Sequence, residues 1–370
     1  MSEIVPPELI DQFLAHADDA SLRMAALTST LRDMTRHIEL SGLPYNQFYV
    51  MALDRILPPF TALRSLQLHV EAIMEIPYLP TVRKLHLIAC TFSTLKSMHH
   101  SLQQFPNLHH LILAQMDIGE CIRSDEDLAA ASAGLPVIEV DTLTIVHGLE
   151  DPGLRAMVFL LSPRNLFFRT WGVKAGSENL RATSRYLTVL GPALLSLKLD
   201  VIKPEDIQVL HDVHLCFPLL TSLRNLNLGT CLLSTQAWLL KGAAISVCSY
   251  LDALLVQISA CPLETLTLGI EPHYLVVHDP VEPLAQTLAL LASTRFASLR
   301  LLEFAVAGYS VTDLESEYRT GRSSDAVKLK DLHAVRADVE PIIIGAAPEA
   351  LRRKIVFTSS QRDFEVRGEW

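Results

Sequence analysis

Fourteen histidines and six cysteines are the side chains in this 370-residue chain with the widest chemical reach, and their spacing limits what they can do. Cys90, Cys121, Cys216, Cys231, Cys248 and Cys261 are scattered with no C-x-x-C pair. That indicates neither a zinc site nor a dense disulfide framework, and it suits reduced thiols. The imidazoles stand side by side only as His99-His100 and His109-His110. Neighbours on a strand point to opposite faces, and neighbours on a helix do not share a face, so both pairs read as surface histidines. No G-x-S-x-G elbow, G-x-x-x-x-G-K-[ST] phosphate loop or H-E-x-x-H zinc helix occurs. The expectation is a chain with no reaction of its own, no metal and no cofactor; its chemistry is recognition.

The elements that would carry such recognition are visible as a recurring phrase: an aliphatic residue, two others, a Leu, one other and a second Leu. It stands clearly at Leu63–Leu68, Val82–Leu87, Leu108–Leu113, Leu194–Leu199, Leu223–Leu228 and Leu263–Leu268, with weaker copies starting at Val140, Pro163 and Leu299. Such self-similarity at irregular gaps is the signature of a leucine-rich repeat. The expected fold is α/β, a solenoid with a curved parallel sheet and outer helices. Period-two geometry turns phrase positions one, four and six inward and the intervening ones outward. On the outward, concave face the residues expected to meet a target are Gln67, Lys84, His86, His110, Thr144, Phe167, Lys198, Asn225, Asn227, Thr267 and Glu303. They are polar, small and mixed in charge, which suits a polypeptide better than a polyanion.

Helical segments are expected over 93–105, 179–190, 234–260 and 281–294; Leu180, Thr183, Tyr186, Leu187 and Leu190 recur at three- and four-residue steps, as a core-facing stripe requires. Phe105-Pro106, Phe217-Pro218 and Cys261-Pro262 each precede a phrase, where Pro turns the chain out of the helix. Loops are expected at 169–178 and 312–331, and a capping strand at 353–357. Cys90 and Cys231 fall three residues after the last Leu of their phrases, a place for a small buried side chain at the turn.

Composition agrees with a repeat array. Hydrophobic residues make up 49% of the chain and mean hydropathy is +0.28, enough for a continuous core. A net charge of −10 and a pI near 5.8 weigh against a nucleic-acid partner, whose affinity comes from Lys and Arg on phosphates. The longest apolar run, Ala156–Leu161, is far short of the roughly 20 residues a membrane span needs, and the amino terminus has no signal-peptide pattern. Cytoplasm or nucleus is the expected location.

The first 40 residues differ from the rest. Val5-Pro6-Pro7-Glu8-Leu9-Ile10 opens an amphipathic helix carrying Phe13 and Leu14, and Leu22-Arg23-Met24-Ala25-Ala26-Leu27-Thr28-Ser29-Thr30-Leu31-Arg32, followed by Arg36-His37-Ile38, carries a second. This segment resembles the F-box family. With Leu79-Pro80-Thr81-Val82 and Phe105-Pro106-Asn107-Leu108 behind it, the chain resembles the F-box proteins with leucine-rich repeats abundant in mushroom-forming fungi. The family's opening Leu is here Val5, and its later aromatic is here Leu31. The resemblance implies a small helical F-box-like segment at 1–40 and a repeat solenoid with a carboxy-terminal cap at 41–370. It implies a Skp1-like adaptor held by Val5, Pro6, Leu9, Ile10, Phe13, Leu14, Leu22, Leu27 and Leu31, and an unknown protein substrate on the repeats.

Three readings follow. First is the substrate-recognition subunit of a Skp1–cullin–F-box ubiquitin ligase. Second is a leucine-rich repeat scaffold with no ligase attachment, in which the amino-terminal helices cap the first repeat. The remote third is an unrecognised enzyme.

Overall fold

The structure is a computed structural model that describes residues 35–40, 57, 60–69, 76–119, 125–146, 152–168, 177–199, 219–232, 247–258, 261–270, 281–308 and 332–361. The chain divides into two compact units, Met1–Phe168 and Arg169–Trp370. Both are built on the phrase identified in the sequence.

In the first unit the strands are β1 (His37–Leu40), β2 (Ser65–His69), β3 (Lys84–Ile88), β5 (His110–Ala114), β7 (Ile138–Ile145) and β8 (Leu161–Phe168). Each pairs in parallel with the next in that order. A short second ladder joins β4 (Thr91–Phe92) to β6 (Asp117–Ile118). Helices α1 (Leu95–Gln103), α2 (Asp125–Ser132) and α3 (Pro152–Val158) lie between strands, and α1 packs against both others. Thr94 starts α1: its hydroxyl accepts the Ser97 N–H at 3.0 Å, and the Ser97 hydroxyl accepts the Thr94 N–H at 3.1 Å. This reciprocal cap satisfies two donors that the helix itself leaves open.

The second unit repeats the plan with β9 (Ser196–Leu199), β10 (Asn225–Leu232), β11 (Thr265–Ile270), β12 (Leu301–Gly308) and β13 (Ile355–Gln361), again parallel and in chain order. Its helices are α4 (Ser177–Leu190), α5 (Val247–Ile258), α6 (Val281–Leu291), α7 (Leu332–Ala346) and α8 (Glu349–Arg352). Helix α6 packs on α5 and α7. The buried Thr287 hydroxyl donates to Asp252 Oδ1 at 2.7 Å between α6 and α5.

Register shows why this is a leucine-rich repeat fold. Leu66 pairs with Leu85, Leu85 with Leu111, Leu111 with Leu143 and Leu143 with Leu166; Leu197, Leu226, Leu266 and Leu302 do the same in the second unit. All nine fourth-position residues are at most 1% exposed, and so are their sixth-position companions from Leu68 to Phe304. First positions from Leu63 to Leu299 are buried as well. A strand exposes successive side chains to opposite faces, so one aligned leucine fixes the side of every other residue on its strand. Each buried Leu contributes about 1.5–3 kcal/mol, and slipping one strand by a residue would turn its whole set into water.

The entry turn is shared too. The N–H of Leu63, Val82, Leu108, Leu223 and Leu299 bonds back three residues, to Phe60, Leu79, Phe105, Leu220 and Phe296. Each such anchor except the half-buried Phe60 is buried, so the turn is pinned by packing as well as by its hydrogen bond.

Several expectations need correction. Residues 36–38, read as the tail of the amino-terminal segment, belong to the sheet: Ile38 is buried opposite Leu66, and Arg64 and Ser65 donate to the Arg36 carbonyl at 2.8 and 2.9 Å. Thr35 fills the first position and is buried, an unaliphatic start that hid this copy. His99 is no surface residue; it is 3% exposed on α1, with Nε2 2.8 Å from the Pro136 carbonyl. Ser177 and Glu178, read as loop, begin α4. The capping strand extends to Gln361 and pairs along β12, where Phe304 and Phe357 stack with ring centroids 5.5 Å apart. Helix α7 went unread because Pro341 and the Ile342-Ile343-Ile344 run inside it argue against a helix. The positions Val5 to Leu31 and the 312–331 segment lie outside the described residues.

Candidate functional site

Among the described residues no group of three or more His, Cys, Asp or Glu comes together as metal ligands, and no helix is long and apolar enough to cross a membrane. The arrangement with chemical content is the outward face of each unit's sheet.

In the first unit the register aligns His37, Ser65, Lys84, His110, Thr142 and Asn165 at the third position and Glu39, Gln67, His86, Ile112, Thr144 and Phe167 at the fifth. Of the residues expected to meet a target, Gln67, Lys84, His86, His110, Thr144 and Phe167 therefore share one face. Gln67 is held from both sides: its amide N–H donates to Glu39 Oε1 at 2.8 Å, and its Oε1 lies 3.1 Å from His86 Nδ1. That contact requires the His86 proton on Nδ1 when the ring is neutral. Ile112 and Phe167 are half-buried, an apolar patch beside this polar relay. Thr144 lies between them in register and is 5% exposed, so it is not presented to a target as expected; two larger flanking side chains leave a short one recessed.

In the second unit Lys198, Asn225, Asn227, Thr267 and Glu303 share a face. Thr267 is also withdrawn, at 6% exposure. Its hydroxyl donates to Glu303 Oε2 at 2.8 Å, and the Thr358 hydroxyl donates to Glu303 Oε1 at 2.6 Å. Glu303 is thus a hub across three strands whose oxygens are already engaged.

The sequence reading missed the second phrase position, which stands immediately before most strands and within β7 and β8. Here the side chains are Arg36, Arg64, Arg83, His109, Asp141 and Arg164 in the first unit, and Leu195, Arg224, Glu264 and Arg300 in the second, all exposed except the half-buried Glu264. Backbone bonds step the row from repeat to repeat: Arg64 N–H to the Arg36 carbonyl at 2.8 Å, Arg83 to Arg64 at 2.8 Å, and His109 to Arg83 at 2.9 Å. His109 Nδ1 lies 2.9 Å from Asp141 Oδ2. In the second unit Arg224 Nη1 lies 3.1 Å and Arg300 Nη1 3.8 Å from the Glu264 carboxylate. The signal was available, because arginine stands beside the first residue in five of the nine phrases.

The cysteines that are described have packing roles. Cys90 is fully buried, its thiol donating to the Leu68 carbonyl at 3.4 Å or the Ile88 carbonyl at 3.2 Å. Burial pushes the Cys261 thiol up to about 11, so it stays protonated near neutral pH. The side chain of Cys231 lies outside the described residues, as do those of Cys121, Cys216 and Cys248.

No protein-family model matches the chain, and no curated protein matches it. Among solved structures the chain is similar to the leucine-rich repeat-containing protein LegL7 from Legionella pneumophila, at 15% identity and a TM-score of 0.38, over 88% of this chain and 91% of that one.

Proposed function

We propose that this chain is a recognition scaffold that holds another polypeptide against the outward face of its repeat sheets. One observation carries the reading: the leucine spine takes one side of each strand, and the other side presents aligned rows of amide, imidazole, hydroxyl, charged and aromatic groups that the fold does not need for its core. Repeat folds of this kind expose a fresh set of side chains on each strand of a shared face. The proposal includes no reaction.

A photo-crosslinking residue at Ile112 or Phe167 tests it, with Gln103 on the exposed side of α1 as the control position. In native extract the face positions should capture polypeptides that the control does not. Equal capture at all three positions would remove the reading.

The finer reading is a substrate receptor of a Skp1–cullin–F-box ubiquitin ligase acting in cytoplasm or nucleus. Its support is the amino-terminal resemblance alone, from Val5-Pro6-Pro7-Glu8-Leu9-Ile10 through Leu31. The measurement is retention of Skp1 by the full chain beside a Pro6→Asp/Leu9→Asp variant. Retention that the variant loses supports ligase attachment. Failure of the wild type to retain Skp1 leaves the scaffold reading without ligase attachment.

A further inference from the structure

We propose that the second-position row of the first unit is a docking strip for a short, acidic, extended segment of a partner polypeptide. The inference rests on the scaffold reading and names the chemistry of the partner.

Arg36, Arg64 and Arg83 stand at equivalent places in three consecutive repeats, all exposed, and each is joined to the next by a backbone hydrogen bond of 2.8 Å. His37 and Lys84 adjoin the row from the third position, and His109 and His110 continue it by one repeat. Among the described residues Arg36, Arg83 and Lys84 have no carboxylate within ion-pair distance, and Arg64 spends one Nη1 donor on the Thr81 carbonyl at 3.3 Å. Like charges directly opposite on adjacent strands repel. A chain with ten more acidic than basic residues nevertheless gathers cations here, against their mutual repulsion. The same row in the second unit is partly compensated by Glu264 between two arginines, so the fold accepts a compensated arrangement where it occurs.

Geometry sets the size of the partner. Adjacent strands lie about 4.8 Å apart, so the three arginines span about 10 Å, which an extended chain crosses in about three to four residues. Asp141, paired to His109, places a carboxylate at one end of the strip, and Glu39 lies beside Arg36, three residues further along its repeat. A long polyanion would run over Asp141, whereas a short Asp/Glu run fits on the three arginines. Guanidinium groups bind carboxylates through paired N–H donors, which suits the exposed arginines of the row.

The test is fluorescence anisotropy of the full chain with a labelled twelve-residue peptide holding four consecutive Glu, flanked by Gly and Ser. Binding is expected to weaken about tenfold or more in Arg64→Glu/Arg83→Glu and to fall with added salt. Arg224→Glu in the second unit should change it less than about twofold. Arg64→Gln/Arg83→Gln, which keeps a polar side chain and removes its charge, should reproduce most of the loss; all three variants change exposed side chains, and their melting curves check the fold. No binding by the wild type overturns the proposal, as does an affinity indifferent to both first-unit variants. Tighter binding of a single-stranded RNA of matched charge through the same arginines also overturns it. Should polypeptides still crosslink at Ile112 or Phe167 while the acidic peptide is ignored, the strip falls and the scaffold reading stands.

Discussion

The two units carry the same buried rows and opposite treatments of the exposed one. On the core side, Leu111 and Leu266 occupy equivalent positions, both with no exposure. On the outer side, the second unit places Glu264 between Arg224 and Arg300, while the first stacks Arg36, Arg64 and Arg83 without an acid among them. What the core requires is therefore repeated, and what it does not require varies. The variable side is where a partner can be chosen.

The largest effect should be indifferent to the unit. Leu111→Ala and Leu266→Ala each remove a fully buried spine residue, and each should cost about 3 kcal/mol, within the 2–5 kcal/mol usual for such truncations. Urea unfolding checks this; a difference between them of more than about 2 kcal/mol would break the equivalence of the cores. The next effect concerns thiols. With its pKa raised by burial to about 11, Cys261 keeps its proton through neutral pH, and iodoacetamide labelling of the native chain at pH 8 should be about 100-fold slower than after denaturation. Because the folded pKa is raised, the stability held by the protonated thiol is complete below its unfolded value and declines as pH rises through about 11. Peptide-level mass spectrometry of Cys261 reads the protection, and rapid native labelling would contradict the burial.

A smaller effect separates the units by backbone. Ala89 and Gln115 sit at the same place after their phrases with φ of 49° and 52°, the left-handed region in which a Cβ costs about 1–2 kcal/mol. Gln115→Gly should raise stability by about 0.5–1 kcal/mol once the added freedom of the unfolded chain is counted. A loss of stability would show that the Gln115 side chain holds the turn. The smallest effect is electrostatic. Glu264→Gln should cost at most about 1 kcal/mol because its arginines are exposed. Arg83→Glu, which gives the first unit an acid between Arg64 and His109, should gain a few tenths of a kcal/mol. Both changes should fade in 1 M salt, where screening shortens to about 3 Å.

Much of the fold was legible because an apolar residue, most often Leu, buried at the fourth and sixth positions of each phrase leaves a linear trace. The outward rows were legible for the same reason, since Gln67, Lys84, His86 and Asn225 follow from strand alternation once their neighbours are fixed. Other features had no such trace. His99 reads as a polar helix residue, and only the approach of the Pro136 carbonyl from 37 positions away gives its ring a buried partner. Thr144 and Thr267 read as presented hydroxyls, and their recess comes from side chains on adjacent strands. Spacing along the chain does not distinguish Lys84 from Arg224, yet Arg224 is engaged by Glu264 while Lys84 adjoins the row of Arg64 and Arg83.

Sequence by itself determined the repeat, the inward and outward sides of its strands and the absence of familiar catalytic motifs, because periodic burial is local and needs only the spacing of apolar residues. Tertiary structure decided which charges became neighbours. Residues such as Arg64 and Arg83 are separated by a variable number of positions along the chain and meet only when the leucine spine sets the register, so the sign of each exposed row is a property of the stacked strands.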